Sequence, residues 1–411
     1  MRNIKFFTFF LVVMLMASSA FAFKPIELGE GKYLKFFYEG QFGVTMRNTG
    51  SGDQGEDDTA DFNFRRNRFG FIGTYNDKLS FYLQTEYLDD KAVNPLGVKD
   101  SLTDDEKFYV LDAQIRYAQN NAFNVTLGKF KHNLTRENLE GCFTPLNFDR
   151  SLFVAAPFKT SRDYGVAVWG NLANDYLQYR LDVMEGRESG GEGNVGSYVP
   201  NSGFRYTGRL HFTMFDKETG YGYQGSYLGE KKILTVGGSY QYEADVAYAD
   251  ATNRADAVDY SAYSLDFFTE IPTSAGTFTL SGAYLDIDLD DLHKGADPDS
   301  ALTDNVAAGT FNGANGQRNG YYVKAGYMLP MNVGPGKLQF FGRYDSFEYA
   351  SLNGYTDNTV DFYAFGANYY LAGNDIKIVG QYSITDFEKE VGADTNKQDF
   401  DTFEMYLQVR F

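Results

Sequence analysis

The sequence predicts an all-β protein: a transmembrane antiparallel β-barrel of about sixteen strands. Three observations carry this. Apolar and polar residues alternate with a period of two in one segment after another. The segments are roughly ten residues long and are separated by turn residues, as membrane strands are. The composition holds 37 Phe, 32 Tyr and 43 Gly against 9 Pro, and aromatics favour strands while glycine weakens helices.

The N-terminus comes first. Arg2 and Lys5 precede the apolar run Phe6–Met16, and Ala17-Ser18-Ser19-Ala20-Phe21-Ala22 closes on an A-x-A site. This is a secretory signal, residues 1–22, with cleavage expected after Ala22. The run is too short for a spanning helix, and Phe23-Lys24-Pro25 does not extend it. Cleavage removes two cations and no acid, taking the net charge from −18 to −20. Phe23 in place of Cys argues against lipoprotein processing. Residues 23–411 then form one domain, the barrel.

The strands follow in order. Lys32–Val44 alternates Leu34, Phe36, Tyr38, Phe42 and Val44 with Lys35, Glu39 and Gln41. Phe64–Tyr75, Leu79–Asp89, Tyr109–Tyr117, Phe123–Lys131, Arg162–Gly170 and Tyr176–Met184 repeat the pattern. So do Phe204–Phe212, Ile233–Tyr242, Tyr260–Phe268, Thr277–Leu285 and Tyr321–Leu329. Lys337–Phe347, Val360–Tyr370 and Ile376–Ile384 lead to the last and clearest, in which Phe403, Met405, Leu407, Val409 and Phe411 alternate with polar neighbours. A chain ending on Phe411 after an amphipathic strand carries the signal that the barrel assembly machinery reads.

The connections also alternate. Asn76–Lys78, Asn171–Asp175, Pro272–Gly276, Pro330–Gly336 and Leu371–Asp375 are short and rich in turn residues. Thr45–Phe62, Asp90–Phe108, Glu185–Gly203 and Asp286–Gly320 are longer and acidic. Short turns at one end and long loops at the other fit a bacterial outer-membrane barrel with both chain ends in the periplasm. Met214–Lys232 is long where a short turn is due, and reads as an elaborated turn. A secreted β-sandwich would share the alternation, but here polar, Gly and small residues dominate the second face and aromatics gather near strand ends.

Composition excludes several function classes. One Cys rules out an internal disulfide framework and Cys-rich metal sites, and three His make a His-cluster metal site improbable. The acidic balance argues against nucleic acid as a partner. No cofactor is expected. Asp286, Asp288, Asp290, Asp291, Asp297 and Asp299 lack the EF-hand glycine, so a solvated loop, or one bridging lipopolysaccharide through ions, is the expected reading. His132, His211 and His293 show no recognisable spacing to a serine and there is no G-x-S-x-G, so a barrel hydrolase is disfavoured and satisfied histidines are expected.

An ordered set of residues resembles the phosphate-selective porin O and P family. It comprises Arg65-Arg66-Asn67-Arg68-Phe69-Gly70-Phe71-Ile72-Gly73-Thr74, Leu127-Gly128-Lys129-Phe130-Lys131, Arg136-Glu137-Asn138-Leu139, Asp149-Arg150-Ser151-Leu152 and Arg162-Asp163-Tyr164-Gly165-Val166. The resemblance implies a homotrimer of sixteen-stranded barrels, each with one long loop folded into the pore and Arg and Lys lining an anion path. It implies passive diffusion of small hydrophilic solutes across the outer membrane, favouring anions such as phosphate. A non-conducting barrel with structural or adhesive loops is the alternative.

The loop implied to fold inward, Lys129–Arg162, holds Lys129, Lys131, Arg136, Arg150, Lys159 and Arg162 against Glu137, Glu140 and Asp149. Six bases to three acids reverses the balance of the whole chain, and a narrow low-dielectric constriction amplifies such a field. Cys142 in this loop reads as a small packing residue. Strand parity adds Arg66 and Arg68 as inward residues, although Phe62 and Phe64 share their parity: either those two lie above the membrane band or a bulge switches the face. Arg116, Arg180, Arg205, Arg209 and Arg343 are also inward, interleaved with Asp112, Asp182 and Asp345, because a charge facing mid-bilayer lipid costs about 2–4 kcal/mol. The candidate anion contacts are Arg66, Arg68, Lys129, Lys131, Arg136, Arg150, Arg205 and Arg209.

Overall fold

A computed structural model describes residues 24–53, 57–88, 107–151, 161–186, 203–250, 255–288, 318–352, 355–389 and 399–411. The expected signal segment, Lys159, His293, and Asp290, Asp291, Asp297 and Asp299 lie outside the described residues. A short strand, β1 (Ile26–Gly29), pairs with the start of β2 (Lys32–Ser51) outside the closed sheet. The barrel continues with β3 (Asp57–Thr74), β4 (Leu79–Leu88), β5 (Lys107–Asn120), β6 (Phe123–Lys131), β7 (Arg162–Leu172), β8 (Leu177–Met184) and β9 (Arg205–Phe215). It is completed by β10 (Ile233–Asp250), β11 (Ala255–Thr273), β12 (Gly276–Asp288), β13 (Arg318–Val333), β14 (Gly336–Leu352), β15 (Tyr355–Ala372), β16 (Ile376–Phe387) and β17 (Phe400–Arg410).

Every neighbouring pair is antiparallel, and β17 closes on β2 in the register Gln408↔Gln41. Sixteen strands from β2 to β17 therefore form a barrel without an open edge, as lipid requires of a spanning sheet. The even count returns both ends to the side of the short turns. Phe411 seals the seam there, its amide donating to Tyr38 O at 3.0 Å and its carbonyl accepting from Tyr38 N at 2.8 Å.

The two faces meet different solvents. Leu210, Leu265 and Phe365 are 58%, 60% and 58% exposed on the outer wall, while Arg205, Gln241, Glu243 and Gln408 are fully buried inside. A sandwich would bury the apolar set; this molecule presents it to lipid. Aromatics mark both rims. Tyr242, Tyr284, Tyr344 and Tyr382 donate their hydroxyls to Asp259, Asp286, Asp361 and Asp401 at the loop end. Tyr327 and Tyr369 donate to Ala275 O and Val333 O at the turn end.

Three sequence readings are revised or decided. Thr45–Phe62 is mostly paired strand rather than loop, because β2 runs to Ser51 and β3 resumes at Asp57. Opposite Gln41 and Phe42 the register jumps from Arg66 to Phe64, so Arg65 is an extra residue and a bulge switches the face. That puts Phe62 outward while Arg66 and Arg68 point into the lumen. The third is Met214–Lys232, which is no rim turn: residues 216–232 fold up into the barrel.

Candidate functional site

Two segments enter the lumen from opposite ends and meet. From the loop end, residues 132–151 leave β6 through one helical turn, α1 (Arg136–Leu139), whose N-cap Thr135 accepts from Asn138 N at 3.1 Å. Inward strand residues then satisfy the loop's backbone. Asn368 Nδ2 donates to Leu146 O at 2.8 Å, Gln408 Nε2 to Phe143 O at 3.0 Å, and Arg343 Nη1 to Asp149 O and Arg150 O at 3.2 and 3.0 Å. Polar lumen residues thus replace the water a free loop would need.

From the turn end, residues 216–232 rise between β9 and β10. Glu270 on β11 accepts from Ser226 Oγ, Tyr227 N and Gly229 N at 2.8–3.0 Å. Where the segments touch they exchange backbone hydrogen bonds: Gly141 N to Tyr223 O at 3.1 Å, Tyr223 N to Leu139 O at 3.2 Å, and Gly225 N to Thr144 O at 2.9 Å.

Between these segments and the wall of β2 to β7 lies a cavity of about 330 Å³. Its charged lining is Arg68, Arg116, Lys131, Arg162 and Arg410 against Glu39 and Asp112, with Tyr82, Tyr221, Tyr223 and Cys142 between them. Three cations are neutralised. Arg68 holds Glu86 through Nε and Nη2 at 2.7 and 2.8 Å, Arg162 holds Asp112 at 3.1–3.2 Å, and Arg410 holds Glu39 at 3.0 Å. Two are not. Arg116 donates to the neutral Gln114 at 2.9 and 2.6 Å, and Lys131 donates to Glu140 O at the end of α1. Neither touches a carboxylate among the described residues.

The loop's own acids and thiol respond to this field. Burial pushes the Cys142 thiol up, but Arg68, Lys131, Arg150 and Arg162 overcome it and hold the thiol well below its ordinary range. Cys142 is buried, as a packing residue is, and cations surround it. Burial pushes the Glu140 carboxyl up to about 7, with Arg136 pulling against it and Glu218 adding to it. Burial would raise Asp149 as well, but Arg65 and Arg66 hold it below the usual carboxylate range.

The sequence-nominated residues separate into groups. Lys131 and Arg68 line the cavity. Arg66 is bound to Asp149 at 2.7 Å, beside Arg65. Arg205 meets Glu243 at 2.8 Å, and Arg209 meets Asp266. Arg150 Nη1 lies 3.5 Å from Asn138 O and Oδ1. Arg136 is fully buried in a pair with Glu218. Lys129 lies away from this cluster, donating to Val110 O and sitting 5.5 Å over Tyr164, beside outward residues of the wall. His211 touches Thr213 and Glu218 through Nε2, while among the described residues neither ring nitrogen of buried His132, nor His211 Nδ1, has a hydrogen-bond partner. Arg116, expected inward, and Arg410 join the cavity without being among the candidate anion contacts, and the turn 216–232 contributes a lining that its length alone does not predict. The signal was there in the segment's Gly220-Tyr221-Gly222-Tyr223 run, unlike the acidic rim loops.

A closed sixteen-stranded barrel with a polar, loop-constricted lumen and an apolar exterior defines an outer-membrane porin. Residues 36–411 match the family model of the phosphate-selective porins O and P, and the chain belongs to that family. An uncharacterised protein of Aquifex aeolicus (strain VF5) is 22% identical over 343 residues, covering 77% of this chain and 74% of its own. Among solved structures, the anion-selective porin of Comamonas acidovorans superposes with a TM-score of 0.57 at 9% identity, covering 92% of this chain and all of its own. The outer-membrane channel DcaP of Acinetobacter baumannii gives 0.55 at 13% identity, covering 94% and 99%. Salmonella typhi OmpF, in complex with daunomycin, gives 0.55 at 13% identity, covering 94% and 100%. At such identities these likenesses speak for the fold.

Proposed function

We propose that this porin passes small hydrophilic solutes by passive diffusion and favours anions, phosphate and chloride among them, without a catalytic step. The carrying observation is that Arg116 and Lys131, on the wall of the cavity, touch no carboxylate among the described residues. The chain's net charge of −18 opposes this from outside, but rim charges are screened within about 8–10 Å at physiological salt. Charges in a constriction with low-dielectric walls are screened far less. The apolar outer wall suits assembly as a homotrimer in outer-membrane lipid.

The test is the reversal potential of the purified protein in a planar bilayer under a potassium chloride gradient. A potential of the sign that chloride sets supports the anion preference, and the opposite sign overturns it while leaving the pore intact. A barrel that folds and inserts but carries no current would favour the structural or adhesive alternative.

A further inference from the structure

We propose that the periplasmic turn Asp216–Lys232 forms one side of the constriction and that Glu218 is the positioning residue that holds it there. The proposal rests on the porin reading and adds a second, periplasmic half to the aperture. Glu218 accepts from Arg136 Nη1 and Nη2 at 2.7 Å each, approaches His211 Nε2 at 3.1 Å, and accepts from the Tyr227 hydroxyl. One carboxylate thus joins the inward loop, strand β9 and its own turn. It is fully enclosed, its side chain 1% exposed.

The pairing is selective for position. The Arg136 guanidinium sits 4.6 Å from the Tyr223 ring and 4.4 Å from the Phe268 ring, so it bridges turn and wall as well. Without Glu218 its remaining carboxylate is Glu140, 3.6 Å from Nε. A buried guanidinium left so poorly compensated draws in water, and the turn carrying Tyr223 loses its side-chain tie to α1, keeping only its bonds to Glu270, to the wall and to the loop's backbone. Tyr221 and Tyr223 then leave the face of the cavity opposite Arg116 and Lys131. A wider, wetter aperture has a higher effective dielectric, so the same two cations discriminate less.

The experiment uses the full-length protein in planar bilayers, comparing wild type with Glu218→Ala and Glu218→Asp. Three quantities are read: single-channel conductance, the size cut-off for neutral polyethylene glycols, and the chloride-to-potassium permeability ratio. Glu218→Ala is expected to raise conductance about two-fold or more, admit larger polymers and lower the ratio. Glu218→Asp keeps the charge and should stay near wild type. Wild-type conductance and cut-off in Glu218→Ala overturn the proposal. The single tryptophan supplies a readout that needs no current, since Trp169 contacts Tyr221 with ring centroids 5.4 Å apart. A silent wild type would defeat the porin reading; a shifted Trp169 emission in Glu218→Ala would still support the positioning role, and an unshifted one would overturn it. If Glu218→Ala does not reach a heat-modifiable folded state, a variant joining Phe215 to Ile233 through a short polar turn carries the same conductance test.

Discussion

Arg209 and Asp266 form a bidentate pair, at 2.7 and 2.8 Å, across a strand that places no side chain between them. Gly237 of β10 occupies the gap. A Cβ there would lie 2.5 Å from Arg209 Nη2 and 2.8 Å from Asp266 Oδ1. Both partners are fully buried. A side chain at this position has to displace the ends of Arg209 and Asp266, and the arginine that the sequence offered as an anion contact is engaged in bracing the lumen wall.

Gly237→Val should therefore separate the pair and leave two buried charges uncompensated. The expected loss is about 3–5 kcal/mol, as when a buried ion pair is broken. Urea unfolding from lipid vesicles measures it, with Asp266→Asn as the comparison. An unchanged midpoint for Gly237→Val would show that the pair adapts.

Neutralising the cavity cations should act on selectivity in a graded way. Lys131→Met and Arg116→Gln each remove a cavity cation that touches no carboxylate among the described residues, and should lower the chloride-to-potassium permeability ratio. Asp288→Asn, at the exposed outer end of β12, should hardly change it, because water and salt screen that site. Arg136→Met removes a cation that does not line the cavity, and should act on selectivity through the turn and through the charge of Glu140, which Glu140→Gln in the same background separates. Reversal potentials at physiological salt check all four.

Cys142 should react as a thiolate. An anionic methanethiosulfonate, drawn toward Arg68, Lys131 and Arg162, should modify it faster than a cationic reagent of similar size and reduce the current. Cys142→Ala removes a negative charge from among these cations and should raise the anion preference. Equal rates for the two reagents would mean that the cation cluster is screened at the thiol.

Glu140 should make the pore sensitive to pH near neutrality. Its folded pKa, about 7, lies above the ordinary 4.5. Its contribution to stability is thus full below the unfolded value and is lost as pH rises through the folded one. The groups facing it are Arg136, Lys131, Arg150 and Glu218. Ionisation adds a negative charge beside Lys131, so the anion preference should fall from about pH 6 to about pH 8. Permeability ratios across that range test it, and Glu140→Gln should flatten this component.

The strands are legible in the alternation of residues alone. Each of the sixteen expected segments, from Lys32–Val44 to the one ending at Phe411, falls on its own paired strand, with ends that differ by a residue at Tyr75, Tyr176, Phe204 and Phe411, because alternation is a local property and each strand separates lipid from a polar lumen. The sequence also determined that the inward loop is locally basic. Which bases stay uncompensated was decided only by tertiary structure. Arg136 finds Glu218, 82 residues away, and Arg66 finds Asp149, 83 away. Lys129 and Lys131 share a strand, yet only Lys131 lines the cavity. One extra residue, Arg65, turns Phe62 and Phe64 to the other face. The segment 216–232 lies inside the barrel because Glu270, Arg136 and the loop's backbone offer it partners there. Such pairings depend on register and on chain closure around a common lumen, and period-two alternation is blind to both.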